Sequence, residues 1–231
     1  MTLPAELRAR LEADYRPVRA LRSPMIRAMA IVPIALIALF AAPVFFNVRL
    51  DAPRLGFGGV WGLSLAQAVL GVAVLVAALR ESVPGRGWDR GAVVVWLVLP
   101  IAIVIGVTLF SWNLSPVVLQ RGWWLVGVMC FAGSASTALP VVAVAAILAS
   151  RAYPLRPAIA GLLLGLGAGL IADAGWRIFC HFSEPAHVLS AHLAAVIASA
   201  LVGSVLAVRL ARRSIADSDP NHPSGRVKMG D

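Results

Sequence analysis

The sequence predicts an all-α polytopic membrane protein with six transmembrane helices and both termini in the cytoplasm, and three observations predict it. Of 231 residues, 60% are hydrophobic and 13% charged, with a mean hydropathy of +0.86, whereas soluble domains are roughly 45–50% apolar and 25% charged. Six apolar runs reach the roughly 20 residues that cross a hydrocarbon core of about 30 Å: 28–48, 57–79, 92–111, 124–149, 158–179 and 187–208. Of the 20 Lys and Arg, only Arg49, Arg54, Arg121 and Arg177 fall in gaps that a cytoplasmic amino terminus sends outward. The rest crowd the other side, as positive-inside bias requires. Six helices over 28–208 leave no room for a globular domain.

The amino-terminal segment 1–27 carries Arg8, Arg10, Arg16, Arg19, Arg22 and Arg27. Leu3, Leu7 and Leu11 recur at i, i+4 and i+8, while Glu6 and Arg10 pair on another face, and Pro17 stops the pattern. A helix of three turns is marginal alone in water. Its leucine stripe therefore needs a partner's groove or the bilayer surface to lie on. The first apolar run is longer than a secretory h-region and is read as a retained helix. The formal net charge of +9 follows from the loops and gives no reason to expect direct nucleic-acid contact.

The loops are short. "RESVPGRGWDRG" and "SRAYPLRP" are expected on the cytoplasmic side, and "SWNLSPVVLQRGWW" puts Trp112, Trp123 and Trp124 at an outer aromatic belt. The carboxy-terminal 209–231 is polar, rich in Pro, Ser and Asp, and expected to be a disordered cytoplasmic tail.

The fifth run carries most of the unusual chemistry. Gly161, Gly165, Gly169, Asp173 and Arg177 recur every four residues and share one helix stripe. Glycines so spaced allow close approach of another helix, either within the bundle or from a second copy in a homodimer. Asp173 falls about 22 Å into the run at 1.5 Å per residue, in its outer third. Arg177, one turn further out, can pair with it or snorkel to headgroups. The pair is read either as a structural ion pair or as a device that orients the outer end.

Cys180 ends that run, and the one other cysteine, Cys130, lies in the fourth. Both are expected on the external side, where a disulfide would require Cα atoms within about 4.4–6.8 Å. His192 enters the sixth run, and His181 and His187 lie in the connection "CHFSEPAHVLSAH". Two thiolates with one or two imidazoles suit a soft or borderline metal such as zinc or cadmium. The spacing has no CxxC or HxxxH regularity, so a transient heavy-metal site, a redox pair and inert packing cysteines all stay open. No glycine-rich phosphate loop, HExxH, GxSxG or pair of buried carboxylates points to an enzyme. A small transporter or channel using Asp173 and Arg177 is the rival reading, as is a structural or lipid-interacting protein.

"PVRALRSP" at 17–24, Cys130 with Pro140 ten residues on, "YPLRPAIAG" at 153–161, Arg177 three before Cys180, and His192 twelve after it occur in one order. In this the chain resembles the NrsF family, negative regulators of sigma F, which are six-helix anti-sigma factors of the bacterial inner membrane. The resemblance runs from about residue 13 to 213. It implies a multi-pass protein that holds an extracytoplasmic-function sigma factor and releases it on external stress, heavy metal or oxidant. It also implies Cys130 and Cys180 as sensor thiols with His192, His181 and Arg177 nearby. The sigma-binding element would be the amino-terminal segment, with Leu3, Leu7, Leu11, Pro17, Arg19 and Arg22 as candidates.

Overall fold

The computed structural model describes residues 4–6, 9–10, 21–117 and 123–218. Leu3, Leu7, Leu11, Pro17 and Arg19 lie outside the described residues, as does most of the expected tail, whereas Arg22 is described and exposed. Every regular element among the described residues is helical.

Ser23 caps α1, Pro24–Met29, by accepting the amide of Ile26, and Pro24 takes the first position, where its missing N–H costs nothing. α2 follows as Val32–Phe46. The first apolar run is thus divided, because Pro33 has no N–H to carry the helical ladder across residues 30–32. α2 has 15 residues, about 22 Å of helix, so it falls short of the length that spans by itself.

The other five runs give helices long and apolar enough to cross a membrane. α3, Ala52–Phe57, passes through a π turn at Gly58–Gly62 into α4, Leu63–Glu81. α5 is Arg90–Leu114, capped by Asp89 through the amide of Ala92 at 2.9 Å. α6 is Trp123–Ser150 and α7 is Pro157–Phe179. A short α8, Pro185–His187, continues through a π turn at Val188–Leu193 into α9, Ala194–Ser218.

α7 is the axis of the bundle, and α9, α4, α6 and α2 pack around it. Its glycines decide this. A Cβ on Gly161 or Gly165 would land on the backbone of Gly203 or Ser199 in α9, and one on Gly169 would press on Val196. The expected small-residue stripe is therefore filled from within the chain. The same antiparallel register sets the next position along the stripe, Asp173, against His192. On the α6 side Gly133 leaves room for the ring of Trp176, whose Nε1 donates to Thr137 at 3.1 Å. One turn further along, that pairing brings Cys130 to Cys180.

At the opposite end Arg27 is buried and donates to the carbonyls of Leu79 and Leu148, which ties α1 to the ends of α4 and α6. Glu81 pairs with Arg156 at 2.7 Å and accepts the Trp88 amide at 2.7 Å. These bonds join the 82–89 and 151–156 connections.

Candidate thiol and imidazole site

Four side chains converge where α6, α7 and the approach to α9 meet. Cys130 Sγ and Cys180 Sγ are 3.8 Å apart, both free thiols and both buried. His187 Nε2 lies 3.4 Å from Cys180 Sγ. His192 lies beside His187, with ring centroids 5.3 Å apart and planes near perpendicular. One ligand atom from each of Cys130, Cys180, His187 and His192 falls within 4.8 Å of the other three.

The backbone explains the histidines. Residues 187 and 192 are five apart, about 140° around an α-helix, and would face different ways. The π turn at 188–193 is wider, with its i to i+5 hydrogen bonds, and so returns position 192 to the face of 187. Cys180 terminates α7 with its amide still bonded to Trp176 O at 2.8 Å, and its own backbone is extended. The thiol thus turns inward as the chain leaves the helix.

Behind the donors lies a polar chain. His192 Nδ1 is 2.7 Å from Asp173 Oδ1, and Gln67 Nε2 of α4 donates to Asp173 Oδ2 at 2.7 Å. Gln67 also reaches the carbonyl of Leu170 at 3.2 Å. Asp173 is 0% exposed, so these partners are what make its charge tolerable there. With Nδ1 committed to the carboxylate, Nε2 is the ring nitrogen of His192 left to serve the thiol side. The Cys180 thiol, in the connection between two spans, is pulled well below its ordinary value. The hydrogen bond from Cys130 does most of this, burial opposes it, and the bonds from His187 and His192 add to the lowering.

The structure thus brings together Cys130, Cys180, His192 and Asp173 and separates the rest. Arg177 does not bond Asp173, because the carboxylate's oxygens are taken by His192 and Gln67; its guanidinium turns to Thr108 Oγ1 at 3.2 Å. In place of the expected Asp173–Arg177 ion pair stands an Asp173–His192 pair. His181 lies outside the cluster and stacks on Phe182 at 4.1 Å. Its carbonyl accepts from Arg49, which grips Asp51 through both carboxylate oxygens at 2.5 and 2.8 Å. Ser115 joins Asp51 at 3.1 Å, and Ser183 bonds the Ser115 carbonyl, so the 181–184 connection is pinned over the site.

Two members were missed as site residues in the sequence. Gln67 carried a signal, an amide within the second apolar run, but it names no partner by itself. His187 was in view as an imidazole of the connection, but its partnership with Cys180 depends on the π turn.

Compared with known families, residues 11–212 match the model for NrsF, negative regulator of sigma F. No curated protein and no solved structure matches the chain significantly.

Proposed function

The chain belongs to the NrsF family of negative regulators of sigma F, and from that membership we propose that it is a membrane-bound anti-sigma factor of a bacterial inner membrane. It sequesters an extracytoplasmic-function sigma factor on its cytoplasmic face and releases it when an oxidant or heavy metal reaches Cys130 and Cys180 from outside. The observation that carries this reading is the facing of two thiols from different helices at 3.8 Å. An oxidant that removes two electrons and two protons from the pair joins the sulfurs, and a thiophilic cation bridges them.

Either event fixes α6 against α7. The site is also wired to α4 through Asp173 and Gln67, and both α4 and α6 end at carbonyls that hold Arg27. Arg27 leads directly into the segment 1–27, the sigma-binding element of this reading. Its leucines Leu3, Leu7 and Leu11 form the contact stripe, with Arg19 and Arg22 beside them. A change in helix packing at the thiols thus reaches the base of that element through two helices.

Magnitudes limit the switch. Moving a complex from 99% bound to 1% takes about 5.5 kcal/mol of differential interaction. A disulfide constraint supplies about 2–4 kcal/mol, while a structural zinc-type site is worth about 10–16 kcal/mol. Metal capture therefore has the larger reach.

The test is capture of the host's sigma factor by the full-length protein in detergent, compared with a chain lacking residues 1–27. Capture lost on deletion supports the reading. An intact, folded protein that captures no sigma factor from its own host overturns it.

A further inference from the structure

The thiol cluster has more donors than two sensor cysteines require. We propose, resting on the sensing role above, that Cys130, Cys180, His187 and His192 form a complete four-ligand site for one zinc-class divalent cation, Zn²⁺ or Cd²⁺, with Asp173 as the carboxylate that orients His192.

Two donor spacings match the edges of a tetrahedron. Metal–sulfur bonds of about 2.3 Å and metal–nitrogen bonds of about 2.0–2.1 Å give edges of roughly 3.8 Å between sulfurs and 3.5 Å between sulfur and nitrogen. The structure holds 3.8 Å between Cys130 Sγ and Cys180 Sγ and 3.4 Å between Cys180 Sγ and His187 Nε2. A cation needs only small side-chain adjustments to reach all four atoms, which already lie within 4.8 Å of one another.

The donor chemistry agrees. Two sulfurs and two imidazole nitrogens are a borderline-to-soft set, suited to a closed tetrahedral d¹⁰ ion and unlike the oxygen shells of Mg²⁺ or Ca²⁺. Without a cation these atoms meet only through long, weak contacts to sulfur, and His187 Nδ1, buried, has no hydrogen-bond partner. Metal-bound histidines characteristically donate their other N–H to a carboxylate, which fixes the ring and raises its basicity. Asp173 does this for His192 at 2.7 Å, and Gln67 in turn fixes Asp173. Binding balances as follows: Cys130 loses its thiol proton and the Cys180–His192 pair loses the one it holds, so two protons leave for solvent, two metal–sulfur bonds form, and two neutral imidazoles donate lone pairs. The dication and two thiolates cancel, so the filled site carries no net charge into a low-dielectric surrounding.

Access is at hand. A cleft of about 280 Å³ lies between α6 and the second π turn, lined by Trp124, Gly127, Val128, Phe131, Ser190 and Ala191. Two of its lining residues, Phe131 and Ala191, are the chain neighbours of Cys130 and His192. The four ligands come from α6, the end of α7, and α8 with its π turn. One ion therefore clamps three elements, whereas a disulfide would join two.

The experiment uses the reduced full-length protein in detergent, without any sigma factor, so that its outcome is independent of sigma capture. Zn²⁺ is added under argon and the metal-edge X-ray absorption is recorded; Cd²⁺ is titrated in parallel by its thiolate charge-transfer band. The expected result is one ion per chain, a shell of two sulfurs and two nitrogens, and two protons released per ion. His187→Ala should weaken binding by at least tenfold with helical content kept, and Asp173→Asn by about 10–100-fold. A shell lacking imidazole nitrogen, or unchanged affinity in folded His187→Ala protein, overturns the four-ligand site and leaves a thiol-only sensor. Absence of binding to the wild type overturns it outright, and the absorption spectrum of wild type decides the matter if a variant does not fold.

Discussion

The two ends of the bundle treat buried polarity in opposite ways. At the end opposite the thiols, Arg27 donates to two helix-terminal carbonyls and Glu81 is held by Arg156 and the Trp88 amide. Those are charge-assisted bonds of fixed partners, and nothing in the ordinary chemistry of a cell changes them. At the thiol end, two sulfurs and the His187 imidazole meet at 3.4–3.8 Å, with His192 completing a cluster within 4.8 Å, groups that oxidise, bind metal or exchange protons readily. In the proposed sensing role, one end stays as it is and the other is altered. A sensor that transmits through its own packing needs both, since a chemical change moves the far end only if that end is firmly attached to the helices.

The largest expected effect comes from cutting the strongest bond beneath the thiols. Asp173→Ala leaves Gln67 without its acceptor and His192 without its counter-charge inside a packed helix. Unfolding followed in detergent should show a loss of about 3–5 kcal/mol. Asp173→Asn keeps an acceptor and should lose clearly less. Equal losses would mean that the charge contributes nothing, and the contrast between the ends would reduce to packing.

A smaller loss is expected at the opposite end. Glu81→Gln keeps an acceptor for the Trp88 amide but removes the ion pair with Arg156, whose side chain is 39% exposed. Solvent screening limits such a pair to about 1 kcal/mol. The same unfolding measurement checks it, and a loss as large as that of Asp173→Ala would make this end the keystone of the fold.

The legibility of the sequence follows the same division. Fold class and most helix ends were readable because they rest on apolar length, on Pro24 and Asp89 at helix starts, and on the glycine spacing of α7. The break at Pro33 was also open to reading, though a continuous apolar run concealed it. At the site, Cys130, Cys180 and His192 were singled out by residue type, whereas Asp173 was read with the glycine stripe and Arg177. Sequence proximity suggested that Asp173 would meet Arg177, one turn away. Tertiary register put His192 there instead, through the close approach that Gly161, Gly165 and Gly169 allow. His187 depended on a π turn, which no residue in "VLSAHL" announces.

The smallest effect on stability, and the largest on signalling, is expected from Cys130→Ser with Cys180→Ser. Each hydroxyl is smaller than the thiol it replaces and keeps the hydrogen bonds within reach, so unfolding should shift by about 1 kcal/mol or less. Sigma capture should persist, because Arg27, from which the 1–27 segment is reached, lies at the end that has not been touched. Release of the sigma factor by oxidant or cadmium, read from a sigma-dependent reporter, should vanish, since serine neither forms a disulfide nor binds a soft metal well. Induction that survives in a stably expressed double variant would show that the thiols are packing groups and that the alterable end lies elsewhere. Capture lost in that variant would show instead that the two ends cannot be separated, because the thiol packing itself holds the sigma-binding element in place.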